Sequence, residues 1–143
     1  MAFPPLPTSL TLEIVTPDRS LVREEVDEVQ VPAAEGYMGI LPGHTPLLAT
    51  LRVGELTYRK GQDSVSLHVA FGFVEVLPDK VTVLAQVAER AEEIDRPRAD
   101  AAKKRAEERL ASPTAGIDFE RARIAMMKSL IRIQVASRAR TRA

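Results

Sequence analysis

Three stretches of this chain alternate apolar and polar residues, all of them before residue 88, and this periodicity narrows the possible folds more than any other feature. "LTLEIVT" (Leu10–Thr16) places Leu10, Leu12 and Ile14 on one side. "SVSLHVAF" (Ser64–Phe71) does the same with Val65, Leu67, Val69 and Phe71, and "VTVLAQV" (Val81–Val87) with Val81, Val83, Ala85 and Val87. A period of two is the signature of a strand with one buried face. Turn-forming residues separate the runs: Pro17-Asp18, Lys60-Gly61-Gln62-Asp63 and Pro78-Asp79-Lys80. An isolated sheet cannot bury such faces, so the pattern predicts a small all-β sandwich of two sheets packed together.

Past residue 88 the character of the chain changes. Residues 1–87 hold 6 Lys/Arg and 11 Asp/Glu, a balance of −5, whereas residues 88–143 hold 14 and 9, a balance of +5, so the formal net charge of zero conceals a division. "DRPRADAAKKRAEERLA" (Asp95–Ala111) is rich in helix formers, with Asp95 placed to cap it and Pro97 tolerated in its first turn. "SPTAGID" (Ser112–Asp118) breaks the chain at Pro113 and Gly116, and helical composition resumes over Asp118–Ala139. A short break between two helices predicts an antiparallel hairpin. The expected division is therefore an all-β N-terminal sandwich, residues 1–88, and an all-α C-terminal two-helix hairpin, residues 89–143. The first helix offers a narrow stripe of Ile94, Ala101, Ala102, Ala106 and Leu110. The second is broader, with Phe119, Ala122, Ile124, Met126, Met127, Leu130, Ile131, Ile133 and Val135 exceeding what one thin helix can cover. That excess leaves three arrangements open: the hairpin on its own sandwich, the second helix on another protein, or each at different times.

Several function classes lose support on composition. Without cysteine there are no disulfides, thiolate ligands or thiol nucleophiles, which points to a reducing compartment. His44 and His68 lie in different segments, so no metal site is expected. No P-loop, dinucleotide, nucleophile-elbow or H-E-x-x-H motif occurs. Ser64, Ser66 and His68 share one strand, but spacing along a strand does not create a nucleophile–base pair. The N-terminal "MAFPPLPTSL" lacks the pattern of a signal peptide, and no apolar run approaches the ~18 residues of a spanning helix. From Arg121 onward there are seven Lys/Arg and no acid, yet no aromatic for base stacking, and the whole chain is neutral, so nucleic acid is not an expected partner. The chain reads as a binding protein and not as an enzyme.

"VDEVQVPAAEGYMGILPGHTPLLATLRVGEL" (Val26–Leu56), "GFVEVLPDKVTVLA" (Gly72–Ala85) and the terminal helical pair together resemble the epsilon subunit of the bacterial F-type ATP synthase, from about Leu10 to Ala136. The resemblance implies a non-catalytic rotor subunit of the central stalk, with the gamma subunit and the c-ring as partners of the sandwich. It also implies contact with the catalytic alpha and beta subunits when the hairpin is extended. Membrane association would come only through the complex, at the cytoplasmic face of the bacterial cell membrane.

The same resemblance assigns expected sites. Gly36, Gly39 and Gly43 are candidates for positive φ or close approach in a rigid loop. Glu35, Tyr37 and His44 are the candidate c-ring-facing residues, with Tyr37 standing where some relatives carry an acid. "IDRPRA" (Ile94–Ala99) is similar to the family pattern I/L-D-x-x-R-A, which in some members binds ATP as a regulatory ligand; no cofactor is otherwise required. Glu89, Asp95, Arg98, Lys128 and Arg132 are then the nucleotide candidates, with Lys128 replacing a second arginine and losing its planar fork. Arg121, Arg123, Ile124, Met127 and Ile131 are the expected inhibitory face of the second helix, together with the charges of Lys128 and Arg132.

Overall fold

The computed structural model describes residues 2–112 and 118–140, so the predicted break at Pro113 and Gly116 lies outside the described residues. Eight strands precede two helices: β1 (Leu10–Val15), β2 (Ser20–Val26), β3 (Glu28–Ala33), β4 (Gly36–Ile40), β5 (Leu47–Leu51), β6 (Gly54–Lys60), β7 (Asp63–Leu77), β8 (Lys80–Arg90), α1 (Arg96–Ala111) and α2 (Phe119–Arg140), with a 3-10 turn at Ala91–Glu93 between β8 and α1. The last strand thus continues to Arg90, past the composition change near residue 88.

The sandwich forms differently from two separate sheets. All eight strands are hydrogen-bonded into one connected sheet, because β7 and β8 are long enough to belong to both layers. The first half of β7 pairs with β6, from Asp63 to Val69, and its second half pairs with β5, from Gly72 to Val76. β8 follows β7 in one antiparallel register and closes the outer layer through a parallel pairing with β1.

The bend between the layers is at Phe71–Gly72, where φ is +60° and +116°. It reverses which side of the strand faces the core. Before it, Leu67 and Val69 are buried; after it, Val74 and Val76 are. On β8 the same reversal lies between Ala85 and Ala88. Two expectations fail here for one reason: Phe71 does not continue the buried series, and Val87, 37% exposed, yields its place to Ala88. Gly72 is required at the bend, since a Cβ there would come 2.0 Å from the Leu84 carbonyl oxygen and φ lies in a region that side chains avoid.

Both helices begin on an aspartate cap. The Asp95 carboxylate accepts from the Arg98 amide at 3.1 Å and that of Asp118 from the Arg121 amide at 3.0 Å. α1 packs along α2 through small residues: Ala99 and Ala106 on one helix and Ala122, Ser129 and Ala136 on the other are buried at seven-residue spacing. The predicted stripe of α1 is corrected accordingly, because Ala101 is exposed and Ala99 fills the seam.

Candidate functional site

Strand pairing brings three polar residues into one row across the outer face of the sandwich. His68 on β7 is the register partner of Glu55 on β6 and of Glu89 on β8. The neighbours Leu67 and Leu56 point into the core, so alternation turns Glu55, His68 and Glu89 outward. α2 lies over this row and covers it, leaving His68 only 1% exposed and Glu55 6%.

Each carboxylate is met by side chains of α2. Arg132 donates from Nη2 to Glu89 Oε2 at 3.0 Å, and its Nε lies 2.9 Å from Oε1. His68 Nδ1 is 3.0 Å from the same Oε1. Gln134 Nε2 donates to Glu55 Oε2 at 2.5 Å, and Arg138 Nε to Oε1 at 3.1 Å. Burial raises the pKa of Glu89, but the hydrogen bonds from His68 and Arg132 outweigh it and hold the carboxyl below its ordinary 4.5. Glu55 behaves alike: burial raises it, and Arg138, Ser66 and Gln134 bring it below the ordinary value. Both remain carboxylates at neutral pH and serve as receptors for the cations of α2.

Apolar contact at this seam is small. Ala91 and Ile94 pack with Val135 and Ala136, with Ile131 and Ala139 at the edge, in a cluster separate from the sandwich core. Lys128 Nζ stands 5.5 Å from the centroid of the Phe71 ring. Arg19 clasps Glu93 at 3.1 and 2.6 Å and so ties the 3-10 turn to the β1–β2 connection.

Of the nucleotide candidates, Glu89 and Arg132 are in direct contact, with each other. Asp95 is engaged as the cap of α1, Arg98 is exposed at the same helix start, and Lys128 faces Phe71. Among the inhibitory candidates, Ile131 borders the seam, Ile124 and Met127 are partly buried, Arg121 is exposed, and Arg123 is paired with Glu120 on its own helix. Phe119 and Leu130 stay 49% and 43% exposed. Local pattern did not mark Glu55, His68, Gln134 or Arg138 as members of the site. The available signal was a polar outer face on β7, Ser64-x-Ser66-x-His68, awaiting a cover.

The third candidate group lies elsewhere on the sandwich. Glu35 is exposed in the β3–β4 turn, and Tyr37 is half-exposed on β4, with its hydroxyl accepting from the Glu55 amide at 3.2 Å and Arg52 5.4 Å from its ring centroid. His44 Nδ1 is 2.7 Å from the Thr45 carbonyl oxygen in the turn after β4. Gly43 has φ +85° and donates its amide to the Pro78 carbonyl at 2.7 Å, which fixes that turn against the β7–β8 connection. Gly39 is corrected: it has neither positive φ nor any close neighbour, and it is an ordinary strand residue. Beside Glu35 and Tyr37 runs a shallow groove of about 560 Å³ lined by Met38, Leu47, Leu48 and Ala49. Among the described residues no group of His, Asp and Glu could hold a metal ion, and no helix is long and apolar enough to cross a membrane.

Comparison with known proteins first gives the class. Residues 9–91 match the β-sandwich domain of the ATP synthase delta/epsilon chain, and residues 92–137 match the long α-helix domain of the same chain. An ATP synthase epsilon chain of Solibacter usitatus is 51% identical over 133 residues, covering 93% of this chain and 99% of that one. An epsilon chain of Syntrophotalea carbinolica is 49% identical, with 90% and 94% covered. In three dimensions, a chain of the Euglena gracilis mitochondrial ATP synthase, from an assembly of OSCP, F1 and c-ring, superposes with a TM-score of 0.71 at 22% identity, covering 99% of this chain and 85% of that one. The chain belongs to the family of F-type ATP synthase epsilon chains.

Proposed function

We propose that this chain is a non-catalytic subunit of the rotating central stalk, whose sandwich joins the gamma subunit to the c-ring and whose hairpin restrains ATP hydrolysis. The observation that carries the regulatory part is the nature of the hairpin seam. α2 is attached by a few hydrogen-bonded ion pairs and a small apolar cluster that is separate from the core. Such pairs lose much of their attraction to desolvation, so the docked and released states differ by little, and modest biases select between them. Released, Arg121, Arg123, Lys128 and Arg132 supply charge toward acidic segments of the catalytic beta subunits, and Ile124, Met127 and Ile131 supply the apolar face. The groove beside Glu35 and Tyr37, with the exposed Leu47 and Leu48, is the surface we assign to the c-ring end, His44 holding the adjoining turn. The subunit then meets the membrane only through the complex, at its cytoplasmic face.

The test is a complex whose copy of this chain ends after Arg90, which leaves β8 entire. It should remain coupled and hydrolyse ATP faster than the intact complex. If hydrolysis is no faster over a range of nucleotide and salt conditions, the hairpin is a permanently docked structural element.

ATP enters the proposal as a regulatory ligand of the docked hairpin. Support comes from Arg132 being held at the sandwich edge with Lys128 one turn earlier on α2 and Arg98 exposed at the start of α1. Phosphate would take Arg132 in exchange for Glu89, and this exchange limits affinity. Calorimetry with the isolated chain should show heat on adding ATP that Arg98→Ala abolishes. No binding at millimolar ATP would reduce "IDRPRA" to a helix start.

A further inference from the structure

His68 stands at the centre of the row that α2 covers. His68 is buried between two carboxylate-bearing neighbours, its Nδ1 shares Glu89 Oε1 with Arg132, and its Nε2 is buried with no hydrogen-bond partner among the described residues. We propose that His68 is a proton-operated release for the hairpin: a second proton, on its buried Nε2, would find no acceptor there and would set a positive charge beside Arg132, so acidification favours the undocked state. The inference rests on the reading that the hairpin can leave the sandwich.

The argument is one of charge and hydrogen-bond balance. In the docked state Glu89 is already neutralised by Arg132, and Glu55 by Arg138, with Gln134 adding a neutral donor. The neutral ring, carrying its proton on Nδ1, satisfies Oε1. A second proton on Nε2 would bury a donor without an acceptor and add a positive charge beside Arg132, and both effects oppose it. Once α2 leaves, two carboxylates on adjacent strands face the ring with no guanidinium between them, and the second nitrogen reaches water. Charging the second nitrogen is therefore less favourable with α2 docked than with it released, and by linkage acid weakens docking.

The other groups around the ring do not change charge in that window. From the sandwich these are Glu55 and Glu89, both held below the ordinary carboxylate value. From α2 they are Lys128, Arg132 and Arg138, which stay cationic. Arg19, on the β1–β2 connection, is near enough to interact with Glu89 and is fixed on Glu93. Arg132 need not lose its charge to be displaced; a positive ring beside it opposes its place on Glu89.

The test uses the full chain. Because it has no cysteine, a donor–acceptor pair can be attached at Glu25→Cys on the sandwich and Glu108→Cys on α1, both exposed. The ratio of docked to undocked chain should fall severalfold between about pH 8 and pH 5.5. His68→Asn or His68→Gln should remove that fall. As a second measurement on the unsubstituted histidine, the ring resonances of His68 should show its charge appearing over the same pH interval in which α2 amides lose protection from exchange. A ratio independent of pH, an equal fall in a His68 variant, or charging and release at separate pH values would each overturn the proposal. The complex ending after Arg90 tests inhibition independently, so a pH-dependent hairpin that does not inhibit would leave the latch standing and remove only the inhibitory reading.

Discussion

Val135→Ala separates the hairpin seam from the sandwich core. Val135 is fully buried in the small cluster with Ala91, Ile94 and Ala136, and none of these belongs to the sandwich core. The substitution deletes two methyl groups, worth about 1.6 kcal/mol on transfer, and the gap left behind brings the loss to about 2 kcal/mol. The docked-to-undocked ratio should therefore fall about 30-fold. Alanine is the better helix former, so α2 itself is not weakened, and the effect is confined to docking. Amide exchange in the full chain reads both parts: protection over α2 should drop, while β7 and β8 keep theirs and the thermal midpoint of the sandwich stays in place. If sandwich and helix lose stability together and by the same amount, the seam is continuous with the core and the hairpin cannot be released alone.

Gly72→Ala should destabilise the sandwich by about 3–5 kcal/mol, combining strain at φ +116° with the contact at 2.0 Å from the Leu84 oxygen. A urea titration followed by far-ultraviolet circular dichroism measures this, and a loss under about 1 kcal/mol would mean that the bend relaxes freely. Acid should produce a loss of docking below the histidine range. Glu55 and Glu89 have lowered pKa values, so their contribution is complete above the ordinary 4.5 and disappears as pH falls through the lowered values. Protection of α2 amides measured down to about pH 2 should show this step, and Glu55→Gln should shrink it.

What the sequence revealed follows from the range of each interaction. Caps are local: Asp95 lies three residues from the amide it accepts, and its place was legible beside Pro97. Strand faces were legible up to the bend and failed at it, because a period of two carries no mark where a strand changes sides. Gly72 was the one cue, and Phe71 and Val87 were assigned to the wrong face because of it. In α1, Ala101 and Ala99 are chemically identical, so only the partner helix decides which is buried. The docking row was illegible for a stronger reason: Gln134 and Arg138 reach Glu55 across 79 and 83 residues, and no local pattern encodes such a pairing.

The proposed release of the hairpin rests on the distribution of apolar mass. The α1–α2 seam is built on Ala99, Ala106, Ala122 and Ala136, each burying little more than one methyl group, with Ser129 satisfied by the Ala125 carbonyl at 2.7 Å. The α2–sandwich seam relies on carboxylates whose attraction for arginine is largely offset by the cost of removing both from water. The large aliphatics of the second seam are Ile94 and Val135 with Ile131 at the edge, far fewer than hold the sandwich core, and the larger residues Phe119 and Leu130 are left half in water. A helix meant only to cap a sheet would place those residues against it. Here the polar row fixes where α2 docks, and under the proposed release the exposed apolar surface would be offered to a second partner, so that specificity of docking and ease of release would arise from the same choice of residues.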